Sequence, residues 1–169
     1  KYSVLAVSGE GFISLYDLPR LTAKIRVEMK RIYLCSALSE CESLGFFGGY
    51  DEDRNFVDVR SISTLQKTRM IFLPETVHSL HLPPGRSEIV CGLLSGCVAF
   101  VNSGEESPEL RKKEHKNILS GIVSHLPSKT LFTCSLDKSL RRWEGLGRGA
   151  SIGQQFEDRR VIAQPLHRA

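Results

Sequence analysis

With 169 residues, 41% of them hydrophobic and 25% charged, the chain has the make-up of a folded domain with its own core, which excludes a disordered or collagen-like protein. The longest apolar stretch, residues 90–101, is interrupted by Ser95 and falls short of the ~20 residues a bilayer helix needs, so no membrane span is expected. The net charge of +4 arises entirely after Gly85, where thirteen Lys/Arg face nine Asp/Glu against ten and ten before it. A surplus of this size keeps a protein soluble; it is compatible with nucleic acid as a partner without pointing to it.

In chain order, the first feature is the segment AVSGEGFISLYD from Ala6, which reads as strand, turn and strand. Residues 21–28 alternate and 32–38 are largely apolar, giving two more strands. A second hairpin, GYDEDRNFVDVR, starts at Gly49 and is followed by strands at 67–73 and 77–82. Hairpins three and four are CGLLSGCVAFVN from Cys91 and TCSLDKSLRRWE from Thr133, and residues 160–163 read as the start of a further strand. Helix signals are weak. The only start resembling a capping box, at Ser36, lacks an amphipathic run behind it.

The four hairpins are versions of one unit. Anchoring them on Tyr16, Val59, Val101 and Trp143 gives spacings of 43, 42 and 42 residues. Six residues before each anchor stand Glu10, Asp53, Ser95 and Asp137, polar residues suited to a tight turn. Ten before it stand the small residues Ala6, Gly49, Cys91 and Thr133, and three before it the apolar Ile13, Phe56, Val98 and Leu140. Four strands per ~42 residues, punctuated by Gly, Pro and acidic turns, is the pattern of a β-propeller blade. The expectation is an all-β propeller segment of about four four-stranded antiparallel blades, with units at 1–30, 31–75, 76–116 and 117–160 and a further strand beginning in 161–169. About four units is a small number for a propeller, and the chain begins inside a unit without Met. Both suggest a fragment or an open ring that a partner or a missing segment completes.

The last unit carries a more specific likeness. Asp137-Lys138-Ser139-Leu140-Arg141-Arg142-Trp143-Glu144 resembles the Asp-x-Thr-apolar-Arg/Lys-x-Trp-Asp ending of the WD-repeat family, with Glu144 in place of the final Asp. His115, 22 residues before Asp137, and Thr133, four before it, match the positions that in this family build a His, Ser/Thr, Asp and Trp hydrogen-bonded chain. The resemblance therefore implies a structural tetrad of His115, Thr133, Asp137 and Trp143. The phrase ISLYDLPRL, residues 13–21, is similar to the citron-homology type of propeller found in vesicle-tethering and kinase-associated proteins.

Other constellations point less far. Histidines 78 and 81 on a strand face opposite ways and have no third ligand near in sequence, so no metal is expected. Gly145, Gly147, Gly149 and Gly153 lack the Lys-Ser/Thr of a phosphate loop and read as a long hairpin connection. The basic run 111–116 reads as an outer strand and a loop, and residues 104–108 as a solvent loop with Ser107-Pro108 as a phosphorylation candidate. Neither a G-x-S-x-G elbow nor a convergent set of acids suggests an enzyme, and no cofactor is implied. Cys35, Cys41, Cys91, Cys97 and Cys134, odd in number and without C-x-x-C, read as core residues of a protein in a reducing compartment, cytoplasmic or nuclear.

The expected function is a non-catalytic protein-interaction scaffold whose rim turns make the contacts, chiefly through Asp51, Glu52, Asp53, Arg54, Lys116 and Lys138. An RNA-associated scaffold and a vesicle-trafficking propeller are the alternatives.

Overall fold

The structure is a computed structural model that describes residues 4–41, 43–102, 108–110, 114–148 and 150–157. The described residues form strands and turns without any helix, in three antiparallel sheets. Sheet 1 has five strands in sequential order: β1 (Val4–Asp17), β2 (Thr22–Leu38), β3 (Leu44–Tyr50), β4 (Asn55–Ser61) and β5 (Lys67–Leu73). Sheet 2 contains β6 (Val77–His81), β7 (Glu88–Leu93), β8 (Val98–Asn102) and the two-residue β9 (Glu109–Leu110). Sheet 3 contains β10 (Leu119–His125), β11 (Thr130–Ser135), β12 (Ser139–Glu144) and β13 (Ser151–Glu157).

Period-two alternation sends successive residues of each strand to opposite faces, and both faces of sheets 1 and 2 are apolar. Phe46, Val57, Val59 and Ile71 pack across to Val77, Ile89, Cys91 and Val101 of sheet 2. The other face of sheet 2, with Val90, Val98 and Phe100, meets Leu119, Leu131 and Trp143 of sheet 3. The other face of sheet 1, with Phe47 and Phe56, is covered by Ile13, Leu15, Ile25 and Val27 from the outer part of the β1–β2 hairpin. The molecule is thus a stack of hairpin, sheet 1, sheet 2 and sheet 3, held by three cores.

Three differences from the expected architecture have identifiable causes. Residues 6–17 do not form a hairpin: β1 is continuous, and Gly11 (φ 78°) sits at a bulge where the register with β2 shifts between Glu10 and Phe12. The two strands expected at 21–28 and 32–38 are one strand, β2, whose first part pairs with β1 and whose second part pairs with β3. The expected unit boundary between residues 30 and 31 therefore falls inside β2, and one five-stranded sheet stands where two units were read.

The third difference is one of register. Tyr50 faces Asn55 across a turn of four residues, whereas Gly92 faces Val98 and Cys134 faces Leu140 across five. A one-residue difference turns every side chain over. Val59 consequently faces the following sheet, whereas Val101 and Trp143 face the preceding layer. One close approach also fixes a residue type: a Cβ on Gly49 would fall on the carbonyl oxygen of Ile32, so β2 and β3 can meet there only through glycine. The strand expected at 160–163 lies outside the described residues, as do residues 104–107 and 111–113.

Candidate functional site

Sheet 3 brings His115, Thr133, Asp137 and Trp143 together, and adds Ser139, which was not singled out in the sequence. The Trp143 indole N–H donates to Thr133 Oγ1 at 2.9 Å, and Thr133 Oγ1 lies 2.8 Å from His115 Nε2. His115 Nδ1 is 2.8 Å from Ser139 Oγ and 3.4 Å from Asp137 Oδ2, and the Ser139 hydroxyl donates to Asp137 Oδ1. One direction satisfies every member: indole to threonine, threonine to Nε2, Nδ1–H to serine and aspartate, serine to aspartate. Asp137 also accepts the backbone N–H groups of Lys116 at 2.6 Å and Ser139 at 2.9 Å.

The electrostatics follow from the geometry. Burial pushes the His115 imidazole below its usual value, and the pull of Asp137 only partly offsets this, so the ring is neutral near pH 7. Burial opposes ionisation of Asp137 too, but hydrogen bonds from the Ser139 hydroxyl and from the N–H groups of Lys116 and Ser139 outweigh it and hold the carboxyl well below the usual range. The chain contains a Ser, a His and an Asp, yet its order differs from a hydrolase triad: the Ser139 proton points to Asp137, and Ser139 and His115 are buried. Its chemistry is to tie the turn after β11 to the segment entering β10.

A second buried network, unforeseen in the sequence, lies on sheet 1. Asp58 Oδ2 accepts from Tyr33 Oη at 2.9 Å and from Arg60 Nε at 2.8 Å, while Arg60 also donates to the Leu65 carbonyl at 2.7 Å and to Met29 Sδ at 2.9 Å. Burial, with the Asp58 carboxylate beside it, raises the Tyr33 hydroxyl to about 12. The sequence signal was present as Asp58 and Arg60, two charges alternating with Val57 and Val59 in an otherwise apolar strand.

The residues expected on the rim do lie along one end of the stack, where the loops form a hydrogen-bonded series. Arg31 donates to Asp51 at 3.3 Å, and Thr76 to Asn55 at 2.8 Å. Glu75 accepts from the Ser95 N–H at 3.0 Å, Gly96 O from the His115 N–H at 3.2 Å, and Asp137 from Lys116. Two of the six expected contact residues are engaged within the fold. Asp51 accepts from the N–H groups of Asp53 and Arg54 as well as from Arg31, and the Arg54 guanidinium lies over the Phe72 ring at 4.6 Å. Glu52, Asp53, Lys116 and Lys138 are exposed.

The other constellations resolve locally. His81 Nε2 is 2.8 Å from Ser124 Oγ, joining sheets 2 and 3, and no three His, Cys, Asp or Glu residues among those described are grouped as metal ligands. The glycine-rich loop after β12 encloses an internal anion, Glu88, which accepts the Arg148 N–H at 2.9 Å and pairs with its guanidinium at 3.0 Å. The five cysteines are free, but the expectation that they are core residues holds only for Cys91 and the half-buried Cys35 and Cys97. Cys41 lies in the turn before β3 and Cys134 on the outer face of sheet 3, both exposed.

The described residues contain no helix long and apolar enough to cross a membrane. The fold has solved counterparts. The chain is similar to a computationally designed protein, Ika8, known from its crystal structure, with a TM-score of 0.70 and 14% identity over 92% of this chain. The match spans 46% of the Ika8 chain, so this chain covers about half the length of that neighbour. No family model matches the sequence, and no characterised protein matches it. The likeness to Ika8 therefore establishes the arrangement of sheets and carries no function with it.

Proposed function

We propose that the chain is a non-catalytic interaction scaffold: an all-β propeller segment, WD-like in its last unit, whose rim turns bind other proteins. The observation that carries this reading is the series of loop-to-loop hydrogen bonds along one end, from Arg31–Asp51 to Lys116–Asp137, which fixes the turn tips relative to one another. A surface pre-organised in this way loses little freedom on binding. The buried Ser139–His115–Asp137 chain spends its protons on the turn itself, which suits a structural role. The free thiols suit a reducing compartment, cytoplasmic or nuclear.

The propeller reading has a second support in the outer face of sheet 3. Val90, Val98 and Phe100 of sheet 2 are covered by sheet 3, but their repeat equivalents, Phe132, Leu140 and Arg142, have no sheet over them among the described residues. Leu140 is 41% exposed where Val98 is fully buried. A further sheet, from this protein or a partner, would cover that face as sheet 3 covers sheet 2.

The test is to reverse the charges of Glu52, Asp53, Lys116 and Lys138 and to compare captured proteins by affinity purification and quantitative mass spectrometry. Partners should be lost while the circular-dichroism spectrum stays unchanged. An unchanged set of partners discards the rim as the contact surface.

A further inference from the structure

The rim is graded. The β3–β4 turn presents the exposed Glu52 and Asp53, and the β7–β8 turn presents Leu94, 46% exposed. The β11–β12 turn presents Leu136, 57% exposed, with Lys138 and the neighbouring Lys116. Two exposed leucines thus stand at equivalent tips of neighbouring turns, between the acidic and the basic end. The other rim carboxylates, Asp51, Glu75 and Asp137, are spent on neighbouring N–H groups, which leaves Glu52 and Asp53 as the exposed acids of the β3–β4 turn, where the Arg54 guanidinium is turned onto the Phe72 ring, and Lys116 and Lys138 as exposed bases at the other end.

We propose that the rim binds an extended peptide segment of a partner protein with a fixed charge order: Lys or Arg over the Glu52–Asp53 turn, aliphatic residues against Leu94 and Leu136, and Asp or Glu beside Lys116 and Lys138. Sheets packed face to face lie ~10 Å apart, so the acidic and basic tips are about 20 Å apart, a distance that about six extended residues cover. The opposed charges fix the direction of the segment, and the leucines supply apolar contact that salt does not screen.

This rests on the rim being the contact surface, and the test separates the two ideas. Fluorescein-labelled Lys-Arg-Ser-Leu-Ser-Leu-Ser-Glu-Glu is titrated by anisotropy at low ionic strength against Lys-Glu-Ser-Leu-Ser-Leu-Ser-Arg-Glu, which has the same composition with its charges interleaved. The blocked peptide should bind about fivefold more tightly, as two favourable surface pairs predict. Leu136→Ser should weaken both peptides. Glu52→Lys with Asp53→Lys, or Lys116→Glu with Lys138→Glu, should abolish the preference for the blocked peptide, and all four changes together should restore it, because the peptide can then dock in the opposite direction. Equal affinity for the two peptides, or no binding of the blocked one, overturns the proposal. If the peptides bind equally while the rim variants still lose their captured partners, the charge order is wrong and the rim remains the contact surface; if capture is also unchanged, both ideas fail.

Discussion

The half-buried Asp137 carboxylate accepts three hydrogen bonds from two parts of the chain, and its removal leaves the Lys116 and Ser139 N–H groups and the Ser139 hydroxyl without their acceptor. Asp137→Ala should therefore cost about 1–3 kcal/mol in chemical denaturation. Trp143 is the single tryptophan and donates into the same chain, so its fluorescence follows this region directly. Acid should act in the same direction. His115 takes up its proton less readily when folded than when unfolded, so the stability it contributes is complete above the unfolded value of about 6.5 and is lost as pH falls below it. The depressed carboxyl of Asp137 adds stability that is present above about pH 4 and lost below it. Denaturation at pH 7.5 and 5.5 should show wild type weakening more than a His115→Gln variant; parallel losses would remove His115 as the source. The resemblance of residues 137–144 to the ending of a WD repeat made four of these residues, His115, Thr133, Asp137 and Trp143, legible in the sequence. Ser139 was not, because a hydroxyl two residues after a turn aspartate reads equally well as an ordinary strand residue. Cys41 escaped for a related reason: Ser39 and Ser43 flank it in the turn, and their hydrogen bonds lower the exposed thiol to about 7, whereas burial raises Cys35 to about 12. Brief iodoacetamide treatment at pH 7 followed by peptide mass spectrometry should find Cys41 modified first and the fully buried Cys91 last.

Among the elements, β5 lies at the residues expected, and β6, at 77–81, is one residue shorter than the strand expected at 77–82; the Pro74-Glu75 turn separates them and Pro83-Pro84-Gly85 follows the second. The hairpins around the turns at 51–54, 94–97 and 136–138 were legible for the same reason. The continuous β1 was not, because Glu10-Gly11 has the composition of a turn and serves a bulge, a choice decided by pairing with β2 far along the chain. The face inversion of β4 was also hidden, since a one-residue difference in turn length leaves the composition of the repeat unchanged. One result of that inversion is that Asp58 and Arg60 point into the core beneath the β1–β2 hairpin. Arg60→Ala would strand the buried Asp58 carboxylate and should cost about 3–5 kcal/mol, whereas Asp58→Leu combined with Arg60→Met should come close to wild type or exceed it. A double variant as unstable as the single one would mean that the pair contributes more than mutual compensation.

For the whole molecule, the all-β class was legible from strand spacing, while the number of sheets depended on how β2 joins its neighbours. The two ends of the stack differ. The outer side of the β1–β2 hairpin is charged, with Arg26 over Phe12 at 4.2 Å and beside Glu28 at 3.6 Å. The outer side of sheet 3 presents Val123 and Leu140, 57% and 41% exposed, with the half-buried Phe132. Val123→Thr with Leu140→Lys should reduce self-association in sedimentation velocity and leave the melting temperature nearly unchanged. A large drop in melting temperature would instead mean that this face is already packed within the fold.

The enclosure of Glu88 by the loop before β13 has a dynamic consequence. At the opposite end, the His115 N–H is bonded to Gly96, and between the two ends Ser79 donates to the Leu119 carbonyl at 2.8 Å. With the His81–Ser124 contact, sheet 3 is thus fastened to sheet 2 at top, middle and bottom, and it cannot peel away strand by strand without breaking all four attachments. Its amides from β10 to β12 should exchange with deuterium as one cooperative unit with a shared opening free energy, and releasing the lower fastening with Glu88→Ala should speed the exchange of the entire group, not of the loop alone.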